Sequence, residues 1–152
     1  MTRLQADFKD FLSLLNAHRV EYLLIGGYAV GYHGYPRATV DLDVWIARTP
    51  ANAARVLAAL QAFGFSDPVL TIDLFLKADQ IIRMGKPPFR IEISTTISGV
   101  DFTTCHARRV NGRIDGLQVP VIDLANLRRN KQASGRFKDL DDLENLPTAD
   151  DE

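Results

Sequence analysis

The stretch from Tyr22 to Ile46 limits most tightly what this chain can fold into. Tyr22-Leu23-Leu24-Ile25 is a short apolar run that Gly26-Gly27 stops, which reads as a buried strand. Tyr28 to Tyr32 then reads as a short helix, ended by Gly34-Tyr35-Pro36. Val40-Asp41-Leu42-Asp43-Val44-Trp45-Ile46 alternates in the manner of a second strand. Side chains at i and i+2 of a strand share a face. Asp41 and Asp43 are therefore expected to stand together, with Leu42 turned into apolar packing.

The rest of the chain reads as elements around these two strands. Leu4, Phe8, Phe11, Leu12 and Leu15 recur at helical spacing, giving a helix over 3–18 with Thr2 and Gln5 as a capping box. Thr49-Pro50 supplies an N-cap and first-turn proline for a helix over 51–63, with Gly64 as its stop. Residues 65–80 carry no readable period. Ile81 to Met84 and Phe89 to Ile93 read as strands joined by the turn Gly85-Lys86-Pro87-Pro88, and Gly116 to Ile122 as a further strand. Asp123 caps a helix over 124–133, and Phe137 to Leu146 forms the last. The expectation is one mixed α/β domain over 1–146, a small mixed sheet flanked by helices with helices at its C-terminus. Residues 147–152 are expected to form a frayed acidic tail.

Composition removes several alternatives. A single cysteine, Cys105, rules out an intramolecular disulfide and a Cys-rich metal site. No apolar run reaches the roughly 18 residues of a membrane span, and the N-terminal residues have neither signal-peptide nor transit-peptide character. A cytoplasmic protein with no membrane partner is the expectation. His18, His33 and His106 are scattered without ligand spacing, so packing or surface roles are expected for them and for Cys105. Trp45 is expected in the core. Tyr28 and Tyr32, one helical turn apart, suit either packing or the flanks of a nucleotide.

The chemistry concentrates on the glycines and the acids. Paired carboxylates on one strand face repel, and a hard divalent cation such as Mg²⁺ relieves that repulsion while keeping sites for waters and substrate phosphates. A strand ending in Gly26-Gly27 and opening a helix lets backbone N–H groups approach a phosphate. Arg37 and Thr39, just before the acids, are candidates to contact the same phosphates. Either half alone also fits a plain turn or a solvated strand face; the order and spacing of both together favour the phosphate site.

The pattern Gly-Gly, short helix, Arg37-x-Thr39-x-Asp41-x-Asp43 resembles the nucleotidyltransferase fold of the DNA polymerase β superfamily. Within it, the chain is most similar to the small AbiEii-like (DUF6036-type) nucleotidyltransferases, whose best-known members are toxins of toxin–antitoxin and abortive-infection systems. Gly85 to Ile93 resembles the strand that carries a third metal-site carboxylate, here Glu92 where Asp is commoner. Ile97 to Phe102 and Val119 to Leu124 resemble connecting segments, and Asn130 to Leu140 resembles a Lys-containing C-terminal motif. The resemblance implies Asp41, Asp43 and Glu92 as ligands of Mg²⁺ (Mn²⁺ as a substitute), with Lys131 joining them as catalytic residues. It implies nucleotide contacts from Gly26, Gly27, Arg37, Thr39, Arg136 and Asp139. The implied activity moves NMP from an NTP, such as ATP, to a hydroxyl of an RNA (tRNA) end or a protein, with a cognate antitoxin as a further partner. An antibiotic-modifying nucleotidyltransferase and a nucleotide-binding or antitoxin module without turnover are the alternatives.

The residues themselves support two of these positions. Lys131 lies at i+7 from Leu124 and i+4 from Leu127, on the inward stripe of its helix. Asp139 falls on the inward arc with Leu140, Leu143 and Leu146, whereas Asp141 points away, so Asp139 needs a partner such as Lys131, Arg136 or Lys138. The charge balance does not exclude a nucleic acid. Lys and Arg number 18 against 19 Asp and Glu, but residues 106–138 carry +6 and residues 139–152 carry −7.

Overall fold

The computed structural model describes residues 4–36, 38–85 and 88–148. In chain order the elements are α1 (Ala6–Ala17), β1 (Tyr22–Ile25), α2 (Gly26–Tyr32), β2 (Asp41–Ile46), α3 (Pro50–Phe63) and α4 (Ile72–Leu76). There follow β3 (Ile81–Met84), β4 (Arg90–Ser94), α5 (Phe102–Ala107), β5 (Val110–Ile114), β6 (Leu117–Val121), α6 (Leu124–Ser134) and α7 (Phe137–Asn145). The strands form one sheet in the order β3-β4-β2-β1-β6-β5. It is mixed: β1 runs antiparallel to β2 and parallel to β6, β2 runs parallel to β4, and β3–β4 and β5–β6 are antiparallel hairpins.

All four residues of β1 are buried, as its unbroken apolar run requires of a central strand. The core gathers Phe8, Phe11, Leu12 and Leu15 of α1, Val56 and Leu60 of α3, Phe75 of α4, and Trp45, Leu42, Val44 and Ile46 of β2. Trp45 is thus a core residue, and its indole N–H has no hydrogen-bond partner among the described residues. Helix α1 packs beside α3, α3 beside α4, and α6 beside α7. Among the described residues no helix is long and apolar enough to cross a membrane.

The boundaries differ from expectation where local hydrogen bonding outweighs pattern. Helix α1 begins at Ala6, because the Gln5 side chain accepts from the N–H groups of Asp7 and Phe8; Thr2 lies outside the described residues. Helix α2 starts at the glycines themselves rather than at Tyr28. The Thr49 cap, the first-turn Pro50 and the left-handed Gly64 stop of α3 stand where the sequence puts them. In the unreadable stretch, Thr71 caps the short helix α4. Two further elements carried too little apolar periodicity to be expected. One is α5, capped by Asp101. The other is β5, which pairs with β6 through Asp115-Gly116, both at positive φ in a two-residue hairpin turn. At the other end of the chain, Arg128 donates to the carbonyls of Leu143, Leu146 and Pro147, and residues 149–152 lie outside the described residues.

Candidate active site

Strand pairing draws one row of residues across four neighbouring strands. Ile25 of β1 stands opposite Asp43 of β2, Asp43 opposite Glu92 of β4, and Glu92 opposite Arg83 of β3. Residues directly opposite in a sheet project to the same side. Asp43, Glu92 and Arg83 therefore share a face, and Asp41, two residues before Asp43, joins them.

The glycines close this row from above β1. Gly26 has φ +69, a left-handed conformation that favours glycine, and a Cβ there would collide with the Asp43 carboxylate. A Cβ at Gly27 would come within 2.8 Å of Thr39 Oγ1. Both glycines are needed because the acid strand and its approach press directly on the backbone that opens α2. The Thr39 hydroxyl bonds the backbone of Asp41, donating to its carbonyl oxygen at 3.1 Å. Thr39 thus shapes the entry to β2. Arg37 lies outside the described residues.

The electrostatics of the row are unbalanced toward negative charge. Burial raises the Asp43 carboxyl, the adjoining Glu92 and Asp41 carboxylates raise it further, and Lys138 opposes them, leaving it at about 7. Glu92 is held by Arg83, whose Nε donates to Glu92 Oε1 at 2.9 Å. Hard oxygen donors crowded until one of them retains a proton suit a hard divalent cation. Among the described residues no three His, Cys, Asp or Glu side chains are grouped tightly enough to hold an ion on their own.

Lys131 occupies a different position from the carboxylate row. Its stem follows the inward stripe of α6, as its spacing implies, and the ammonium is buried between Asp139 Oδ1 at 3.0 Å and Asp142 Oδ2 at 3.2 Å. Arg136 donates from Nε to Asp139 Oδ2 at 2.8 Å. Burial raises the Asp139 carboxyl, but hydrogen bonds from Arg136, Lys131 and Ser134 outweigh it and hold the group at about 2. The buried acids of α7 are Asp139 and Asp142, while Leu140 is 45% exposed. The expected inward arc is thus rotated: the carboxylates follow Lys131, because an unpaired buried ammonium costs more than an exposed leucine. Asp139 is a clamp residue, with Lys131 and Arg136 as its partners.

This clamp fixes the start of α7 beside the carboxylates. Arg136, the residue before α7, is held protonated first by its bond to Asp139 and also by the charges of Asp43 and Glu92. Lys138 acts on Asp43 in turn. The structure therefore brings together Gly26, Gly27, Asp41, Asp43, Glu92 and Arg136, and adds Arg83 and Lys138. Arg83 follows from the register of the β3–β4 hairpin, in which β4 begins at Arg90 rather than at Phe89. Tyr28 packs edge-on against Phe8, and Tyr32 lies against His33 and over Gly112.

The solved structure of a putative nucleotidyltransferase from Thermotoga maritima superposes on this chain with a TM-score of 0.63. The match covers 90% of this chain and 88% of the other, at 14% sequence identity. The chain has a nucleotidyltransferase fold. No protein-family model matches the chain, and no curated protein sequence matches it. Within this nucleotidyltransferase fold, the Gly-Gly and Asp-x-Asp segments meet at one place, over the row Ile25, Asp43, Glu92 and Arg83. That arrangement offers carboxylate oxygens for a cation, cations for phosphate oxygens, and a glycine backbone between them.

Proposed function

We propose that the chain is a nucleotidyltransferase that uses Mg²⁺, with Mn²⁺ as a substitute, to move NMP from an NTP to an acceptor hydroxyl. The observation that carries this reading is the Asp43–Glu92 juxtaposition under Gly26, with Asp43 raised to about 7 by burial and by the Glu92 and Asp41 carboxylates. Mg²⁺ takes one or two protein carboxylates together with substrate phosphates, so Asp41 and Asp43 suffice as its protein ligands. When bound, the ion neutralises charge on the phosphates.

The chain's own residues supply the rest. The backbone at Gly26 and Gly27 admits the triphosphate close to β1, where a side chain would block it. Arg136 and Lys138 stabilise charge on the departing pyrophosphate. Glu92, oriented by Arg83, accepts the proton of the acceptor hydroxyl. The acceptor oxygen bonds to the α-phosphorus as the bond from that phosphorus to the β-phosphate oxygen breaks. Lys131 acts at one remove, holding α7 through Asp139 and Asp142.

The acceptor class this reading favours is an RNA end, tRNA included, or a protein hydroxyl. The corresponding role is that of an AbiEii-like toxin with a cognate antitoxin. A second reading is a nucleotide-binding module without turnover, and the engagement of Glu92 by Arg83 favours it. Incubation with each α-labelled NTP, Mg²⁺ and total tRNA or cell protein separates the two. Label on the acceptor that vanishes in Asp41→Ala and Asp43→Ala supports transfer; NTP binding with no labelled acceptor supports the module.

A further inference from the structure

The most exposed large apolar side chain among the described residues is Phe137, at 92%, the first residue of α7. A phenylalanine ring so fully in water forgoes the burial that ordinarily stabilises it, and an aromatic ring is an unfavourable choice for a helix's first exposed turn. Its neighbours on both sides are the cations of the candidate site. Arg136 and Lys138 both act on the charge of Asp43. The ring also stands on a rigid base. Arg136 is pinned to Asp139, and Asp139 and Asp142 are pinned to Lys131, so the first turn of α7 cannot swing without breaking a buried ion cluster.

We infer that the Phe137 ring is a stacking platform for the nucleobase of the bound nucleoside triphosphate, with Arg136 and Lys138 reaching the phosphates on either side. This rests on the transferase reading of the carboxylate row. The surroundings favour a base over a protein partner. Phe137 and Leu140 are the exposed apolar residues of α7, and Lys138, Asp141 and Glu144 around them are exposed and charged. A protein-docking patch has a broad apolar centre, whereas a base needs one ring face. Every base has such a face, so the platform does not select among the four. Tyr28 and Tyr32, the other aromatic candidates, are already engaged by Phe8 and by His33 and Gly112.

The test is equilibrium binding of Mg²⁺ with each of the four NTPs, and with tripolyphosphate as a probe lacking a base, to wild type, Phe137→Ala and Phe137→Trp. Phe137→Ala is expected to weaken all four NTPs by roughly ten-fold or more. Tripolyphosphate affinity stays unchanged, and Phe137→Trp restores NTP binding. Equal melting temperatures of the three proteins exclude a folding effect, since the side chain packs on little. Base protons of the bound nucleotide shift upfield in NMR with wild type and not with Phe137→Ala. Wild-type NTP affinity in Phe137→Ala overturns the platform while leaving the transferase reading intact, and so does an equal loss of tripolyphosphate binding. Absence of NTP binding by wild type overturns both.

Discussion

Asp43 and Glu92 stand opposite one another on the parallel strands β2 and β4, with both carboxyls on the same face of the sheet. Two acids this close cannot both ionise freely, and burial adds to the penalty. The folded, metal-free chain therefore keeps a proton on Asp43 that the unfolded chain releases. With the folded value at about 7 against an unfolded value of 3.8, stability declines as pH rises through that window.

Asp43→Asn removes this dependence. In chelator the variant is expected to melt close to wild type near about pH 4 and above it by roughly 10 °C near about pH 8. Mg²⁺ should reverse the order at the higher pH, because it stabilises the ionised wild-type site alone. Calorimetry across pH, with and without Mg²⁺, checks both signs.

The clamp under α7 predicts an opposite slope. Asp139 is held at about 2, below its unfolded value of 3.8, so its contribution is complete above about pH 4 and is lost as pH falls toward 2. That contribution is about 2 kcal/mol. Asp139→Asn should forfeit it, and urea unfolding of the two proteins should converge in acid. Lys131→Met removes the ammonium buried between Asp139 and Asp142 and should cost about 3–5 kcal/mol at neutral pH.

Gly26→Ala tests how closely the loop presses on the acid strand. The positive φ and the collision with the Asp43 carboxylate act together, for an expected loss of about 2 kcal/mol or more. Gly64→Ala is the control. It shares a positive φ but has nothing within 4 Å, so its cost should stay near 1 kcal/mol. Denaturant midpoints report both, and only Gly26→Ala should also abolish NTP binding.

Glu92→Gln separates the two roles open to that carboxyl. Removing the charge should lower the Asp43 value from about 7, read by carboxyl NMR in metal-free protein. If Glu92 serves as the base, transfer falls by about 10²–10⁴ with NTP affinity little changed. Arg83→Gln should produce a smaller loss, since it removes the orienting bond and leaves the carboxylate.

Much of this geometry was legible in the residues. Alternation fixed Asp41 and Asp43 to one face, and helical spacing turned Lys131 and Asp139 inward, because burial follows period wherever apolar neighbours define the face. The same reasoning could not say what Lys131 touches. Its partner Asp142 lies one turn beyond Asp139 on a helix whose leucines suggested a different arc, and the pairing of buried charge outweighed the leucine pattern. Arg83 required the hairpin register, which depends on turn geometry rather than on periodicity. Strand β5 escaped because Val110-Asn111-Gly112-Arg113-Ile114 has little apolar content, although Asp115-Gly116 is the turn signal that announces it.

The central claim is that the Asp41, Asp43 and Glu92 row transfers a nucleotide. Its most direct measurement is the appearance of α-labelled NMP on an acceptor, with stoichiometric pyrophosphate release, in the presence of Mg²⁺ and total tRNA or protein. Labelling by wild type, lost in Asp43→Asn and in chelator while Asp43→Asn remains folded, is the expected result. Undiminished labelling by Asp43→Asn, or NTP binding by wild type without any pyrophosphate release, contradicts it.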